Sequence, residues 1–317
     1  MTQRSLIYPI FLPMLGCRHR CIYCDQNKIS GADSLDLNKE LANVSRFIAN
    51  HPQEKKEIAF YGSSFTALPV DFREDLLQQF HKVVDANTQF RISTHPLYID
   101  DEILSSCQKG NIAVIELGIQ DFCDEVLHAS GRGYSGKQAV EAAKLVQEKG
   151  FVLGVQLMPG LPGSNEESIR RNMSELHELK PAFLRLYPLI VIKGTPLAEL
   201  YGRGDYMPLD LDEAVHICAD YAEFAQAEGI NIIKMGLPSN IDKDEILGGP
   251  YHPAFGEYVN AERLLRRIMT ELCAGKEIYL DKKQRLLLMG HRGIFWAKLQ
   301  NRLGNCSLDS AKIKFLG

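Results

Sequence analysis

The chain has 317 residues, 45% of them hydrophobic and 24% charged, with a net charge of −4. That length holds one large α/β domain or two small ones, and the balance is that of a globular protein rather than a disordered one. No apolar run approaches the roughly 20 residues of a membrane span, and the N-terminal apolar stretch has no small-residue cleavage site, so a cytoplasmic protein is expected.

Taken in order, short apolar strand signals fall at 6–12, 57–61, 89–93, 113–117, 152–157 and 183–187. Helical patterns lie between them at 36–50, 70–86, 100–109, 122–129, 136–149 and 165–179. Six βα units in succession predict a parallel sheet with its helices outside, because parallel strands need crossover connections. After residue 188 a loop leads to a helix at 211–228, a strand at 230–235 and a helix at 255–274, then a mixed tail. The predicted architecture is an incomplete TIM-type βα barrel over residues 1–235. Residues 236–317 are expected to form a helical and mixed C-terminal extension packed on it. The segment 248–262, GGPYHPAFGEYVNAE, reads as a turn with a half-buried aromatic, with a lid over the barrel mouth as the alternative.

The run GCRHRCIYCDQNKIS follows the first strand and carries Cys17, Cys21 and Cys24 at Cys-x3-Cys-x2-Cys. A tight loop with this spacing can bring three sulfurs to three corners of an iron–sulfur cube, leaving the fourth iron open. Four cysteines would be wanted for a cluster that only carries electrons. Tetrahedral zinc would need a fourth ligand, for which His19 is the local candidate. The other five cysteines are scattered singly and read as reduced thiols. Parallel sheets and barrels bind ligands at the C-terminal ends of their strands, which is where this loop sits.

The cysteine segment resembles the cluster motif of the radical SAM superfamily, with Tyr23 in the aromatic position before the last cysteine. The resemblance implies a 4Fe–4S cluster whose open iron binds S-adenosylmethionine, reductive cleavage to a 5′-deoxyadenosyl radical, and a flavodoxin- or ferredoxin-type reductant. It also implies the partial-barrel fold already suggested by the βα pattern. Gly62-Ser63-Ser64, ending the second strand, stand where the superfamily usually carries a glycine pair near the methionine amino group. Their alternative role is a plain strand-to-helix turn capped by Ser64 or Thr66.

The stretch GIQDFCDEVLHASGRGYS resembles both oxygen-independent coproporphyrinogen oxidase and the catalytic subunit of Elongator. By that likeness Gln120 and Arg132 face the cofactor, Arg132 near the methionine carboxylate, where a guanidinium can make two parallel hydrogen bonds. Gln156, in GVQLMPGLPG, is placed against the ribose or amino group, and Thr94, with Ser93, ends the third strand within reach. Glu116 is a charge in an apolar strand and implies a partner, either ribose hydroxyls or an internal arginine.

Residues 184–209, LRLYPLIVIKGTPLAELYGRGDYMPL, are very similar to a segment of the Elongator subunit, and the likeness extends over roughly residues 5–235. Two departures are visible: the cysteine spacing is tighter here, and no stretch resembles the acetyltransferase half. The expected function is a radical SAM enzyme acting on an unidentified substrate, a tRNA base or nucleotide being the first candidate. The alternatives are a coproporphyrinogen-oxidase-like enzyme or haem chaperone, and a non-catalytic iron–sulfur protein. Residues 263–317 hold 12 Lys/Arg against 4 Asp/Glu. Arg263, Arg266 and Arg267 share one helical face there, which suits either an RNA backbone or plain solvent.

Overall fold

The computed structural model describes residues 5–12, 14–17, 21–30, 35–238, 241–306 and 309–316. Seven parallel strands form one curled sheet, a half-barrel with helices on its outer face. They are β1 (Leu6–Phe11), β2 (Lys56–Tyr61), β3 (Thr88–Thr94), β4 (Ile112–Gln120), β5 (Val152–Leu157), β6 (Phe183–Leu186) and, beyond the two-residue β7 (Val191–Ile192), β8 (Asn231–Met235). The sheet order is β1-β2-β3-β4-β5-β6-β8, so each βα unit adds the next strand, and β1 and β8 are the two edges. Pro9 in β1 agrees with an edge position, since proline has no N–H to give a second neighbour.

The connecting helices are α2 (Leu37–Asn50), α3 (Val70–His81), α4 (Asp101–Lys109), α5 (Asp124–Ala129), α6 (Gly136–Glu148) and α7 (Glu166–Leu179), after the single turn of α1 (Gln26–Ser30). Their starts are capped locally: Asp36 accepts from the Lys39 N–H, while Ser135 with Gln138 and Asn165 with Ser168 form reciprocal boxes. Such caps satisfy amides that a helix leaves unpaired and fix where each crossover begins.

Successive strand residues point to opposite faces. In β2, Ile58 and Phe60 are fully buried and join Phe80, Phe90 and Leu76 under the helices, whereas Glu57 and Tyr61 turn to the concave side. The same parity sends Arg91 and Ser93, Glu116 and Gly118, Gln156, and Arg185 inward. The central strands β2 to β6 therefore turn polar and charged side chains to the concave side, while the convex side carries the apolar core.

The helix and strand expected beyond 210 are α9 (Leu211–Ala227) and β8, which pairs with β6 at the sheet edge. They follow α8 (Pro196–Arg203). The strand β9 (Ile246–Gly248) pairs antiparallel with β7. Gly249 then packs against Leu189 and Ile190, and Tyr251 is half-buried with its hydroxyl donating to Pro238 O, so 249–254 is a turn between β9 and the next helix. α10 (Phe255–Cys273) contributes Phe255 and Val259 to the main core. Its later residues, Leu264, Leu265 and Ile268, join a second core with β10 (Ile278–Leu280), α11 (Lys282–Met289), α12 (Ile294–Asn305) and β11 (Ile313–Phe315).

The expected basic row on α10 needs correction. Arg263 donates to Gln226 on α9. Arg266 is paired with Asp220 at 2.5 Å, Glu223 at 3.3 Å and Glu262 at 3.1 Å, and Arg267 lies 3.9 Å from Glu271. Two of the three turn toward α9, whose acidic residues sequence periodicity along α10 could not reveal. They are not a free row for phosphates.

Glu262 is gripped by Arg302 at 2.7 Å as well as by Arg266. Burial opposes its ionisation, but the two guanidinium groups outweigh burial and hold its carboxyl below the ordinary range. A depressed folded-state value stabilises the fold above the unfolded carboxylate pKa of about 4.3, and that stability is lost as pH falls through the folded value. Glu262→Gln should therefore lower unfolding free energy at pH 7, by an amount on the order of 1–2 kcal/mol. Urea titrations of both proteins should converge as the pH drops below about 4.

Candidate functional site

One cavity of about 610 Å3 lies in the half-barrel, bounded on one side by β1 and on the other by β8 and the residues after it. Cys17, Cys21 and Cys24 line it together with Tyr23, Gly62, Ser63, Ser64, Thr94, Glu116, Gln120, Arg132 and Gln156. The structure thus brings together around a single space the three cysteines and the nine residues expected to bind the cofactor, His19 lying outside the described residues.

The cysteine loop leaves β1 at its C-terminal end and is pressed onto the β2 turn. Gly16 has φ +72°, and a Cβ there would stand 2.6 Å from Ser64 O, so only glycine lets the loop approach so closely. Cys17 Sγ lies 3.5 Å from Ser64 Oγ, and Gln26 donates to Cys24 Sγ at 3.5 Å. Burial, reinforced by the neighbouring Cys21, pushes the Cys24 thiol up to about 12. It is a neutral thiol at neutral pH, and a metal would have to displace its proton.

Arg132 is not a surface residue. It is 5% exposed and donates to Cys21 Sγ at 2.9 Å, to Tyr134 Oη at 3.1 Å and to Gly118 O. No carboxylate neutralises it among the described residues. Gln156 donates to Gln120 Oε1 at 3.1 Å, and Gln120 is itself in the left-handed region at φ +72°, at a bulge between β4 and β5. This conformation is strained for a residue with a Cβ, and it re-aims the side chain at the strand end. Thr94 Oγ1 is bonded to Thr66 Oγ1 at 2.6 Å, inside the protein.

The Glu116 carboxylate is partnered within the protein. Arg91 and Tyr61 both donate to Oε1 at 2.8 Å, and Arg185 Nε lies 2.6 Å from Oε2, as an ion pair rather than an aligned hydrogen bond. Arg91 also grips Glu57 at 2.5 Å. An internal arginine, one of the two partners foreseen for Glu116, is present twice over. Arg91, Arg185, Tyr61, Glu57 and Tyr187 were not singled out from the sequence. The signal was there, a charged or phenolic residue at inward parity in an apolar strand, as in FRIS and FLRLY.

Two features bear on whether a cluster and a nucleoside-bearing ligand fit. Ser63 Oγ is buried with no hydrogen-bond partner among the described residues, beside the thiols. No three His, Cys, Asp or Glu side chains among the described residues converge on a single-ion site, and His19 lies outside those residues. Three thiols spaced around one cavity suit a polynuclear cluster, in which each sulfur takes a different iron.

A family model for the radical SAM superfamily matches residues 11–176, and one for the radical SAM C-terminal domain matches residues 181–267. The chain belongs to the radical SAM superfamily. Membership implies an enzyme that uses a 4Fe–4S cluster and S-adenosylmethionine. Among curated relatives, the tRNA uridine(34) acetyltransferase of Methanocaldococcus jannaschii is 26% identical over 220 residues, 62% of this chain and 40% of that protein. Elongator complex protein 3 of Mus musculus is 30% identical over 191 residues, 52% of this chain and 35% of that one. The chain therefore matches about 40% or less of these relatives' length, and it is homologous to their radical SAM region. The structure of an archaeal Elongator protein 3 from Methanocaldococcus infernus superposes with a TM-score of 0.63 at 19% identity, covering 81% of this chain and 62% of that one. Coproporphyrinogen III oxidase from Escherichia coli gives 0.52 at 18% identity, over 72% and 54% of the two chains, which supports the shared fold.

Two substitutions test this geometry. Glu116→Gln leaves Arg91 and Arg185 without their shared charge and should destabilise the fold by about 3–5 kcal/mol, measured by denaturant unfolding. At residue 120, where both variants lose the amide, Gln120→Gly should be more stable than Gln120→Ala by about 1 kcal/mol. The reverse order, usual inside a strand, would show that the left-handed backbone is not strained.

Proposed function

We propose that this chain holds a 4Fe–4S cluster on Cys17, Cys21 and Cys24 and cleaves S-adenosylmethionine in the adjoining cavity. The substrate would be a tRNA base or nucleotide. The observation that carries the reading is the convergence of the three thiols and nine further polar or glycine-bearing positions on one chamber. An electron-transfer protein needs no such chamber beside its cluster. The homology to the radical SAM region of tRNA-modifying relatives supports the substrate class.

The cluster and S-adenosylmethionine would supply a 5′-deoxyadenosyl radical, and the remaining work belongs to the chain. Cys17, Cys21 and Cys24 each give one sulfur, losing a proton as they do so. Gly62, Ser63 and Ser64 offer backbone and hydroxyl groups beside the thiols, the Ser63 hydroxyl being the one in want of a partner. Arg132 is a buried cation with no carboxylate partner among the described residues and suits the carboxylate of a bound amino acid. Gln120 and Gln156, paired as amides, can present a donor and an acceptor to a ribose or an amino group. Tyr23 packs among Cys21, Val126 and Met158 and closes the cysteine side against water. A reductant of the flavodoxin or ferredoxin type would deliver the electron. We further divide the chain into a radical SAM core at 1–235 and an extension at 236–317, supported by the separate apolar cluster that begins on α10.

Anaerobic reconstitution should give about four iron and four sulfide per chain. Any of Cys17→Ala, Cys21→Ala or Cys24→Ala should abolish cluster assembly. Cys306→Ser, at an exposed position, should leave it intact. Reduced protein incubated with S-adenosylmethionine should release 5′-deoxyadenosine. Stoichiometric zinc without iron in anaerobically isolated protein would sink the reading.

A further inference from the structure

Besides His95, six charged side chains line the cavity: Glu57 and Glu116 against Arg91, Arg132, Arg185 and Lys234. The two carboxylates are shared between Arg91 and Arg185. Arg132 is directed to Cys21 and Gly118. Lys234, half-buried on β8, has no hydrogen bond or ion pair among the described residues. It is also the register partner of Arg185 on the neighbouring strand, so two cations stand side by side on the concave face. Like charges placed directly opposite one another weaken a sheet, and Glu116 serves only the arginine. An ammonium held in that position contributes nothing evident to stability. It faces a chamber with two more cations than carboxylates.

We propose that Lys234, with Arg185 beside it, recognises an anionic oxygen of the substrate, a phosphate or a carboxylate, on the β8 wall of the chamber. The inference rests on reading this cavity as the place where substrate binds. An ammonium is a compact point charge with three donors, suited to an oxyanion that carries most of its charge at one end. Arg132 stands against the cysteine loop and Lys234 on the opposite edge strand, so two anionic groups can be held without competing for one cation.

Equilibrium dialysis of the reconstituted full chain with radiolabelled inorganic phosphate, UMP, uridine or succinate tests this. Wild-type protein should retain one of the anions, and Lys234→Gln should weaken that binding roughly tenfold or more, as expected for a lost charge-assisted contact. Lys234→Arg should keep most of the affinity, and Lys283→Gln, at an exposed position on α11, should keep all of it. Retention of phosphate and UMP but not succinate assigns a phosphate, and retention of succinate alone assigns a carboxylate. Uridine bound as well as UMP, no anion retained, or unaltered binding in Lys234→Gln would overturn the proposal. Release of 5′-deoxyadenosine by the same wild-type preparation is scored separately. Lys234-dependent anion binding without that release defeats the proposed function alone, and release without Lys234 dependence defeats this inference alone.

Discussion

Glu116 lies 2% exposed in the central strand of a parallel sheet, and a carboxylate there is tolerable only because two guanidinium groups and a phenol converge on it. Through it β2, β3, β4 and β6 are tied across the concave face by Glu57, Tyr61, Arg91 and Arg185. A closed βα barrel fills its interior with layers of branched apolar side chains. Here long charged side chains brace one another near the sheet and leave space above themselves. Gly154 is part of the same solution. A Cβ there would meet the Phe183 ring at 2.3 Å and Glu116 Cγ at 3.2 Å, so the absence of a side chain lets the ring lie under Arg91, 4.7 Å from its guanidinium.

The chamber's chemistry follows from that brace. Its acidic groups are consumed structurally, and the cations left over, Arg132 and Lys234, stand on different walls. Cys21 and Cys24, by contrast, are held among apolar neighbours such as Met158 and Leu161, where burial raises the Cys24 thiol and a metal would have to displace its proton. One cavity therefore contains an apolar, sulfur-bearing corner and a polar, cationic floor.

Much of this was legible in the sequence. The six βα units appear as alternating periodicities, and the cysteine spacing, following the first strand, marks the functional end of the sheet. Glu116 announced itself as a charge in an apolar run. Its partners did not, because Arg91 and Arg185 come from strands on different sides of β4, and only the curl of the sheet brings them to one carboxylate. Arg132 carries no local mark of burial; Tyr134 is two residues on, but Cys21 and Gly118 lie on other segments, and the resemblance to known families was what pointed to it. The tail misled for the same reason. Along its own helix Arg266 has only Glu262 one turn back, and the further acids that neutralise it, Asp220 and Glu223, belong to α9.

The single turn α1, directly after Cys24, is held at its far side by Lys28, which reaches Glu245 at 2.5 Å and the Lys193 carbonyl at 3.0 Å. Ile29 packs with Ile190, Ile192 and Ile241 in the same contact. The loop bearing the thiols and the β7–β9 pair thus share one free-energy balance. A ligand of the sulfurs that needs this turn in place would therefore also favour the β7–β9 pair, and loosening β9 would weaken the support of the loop. The cysteine loop and β9, more than two hundred residues apart in the chain, are thus joined through one side chain.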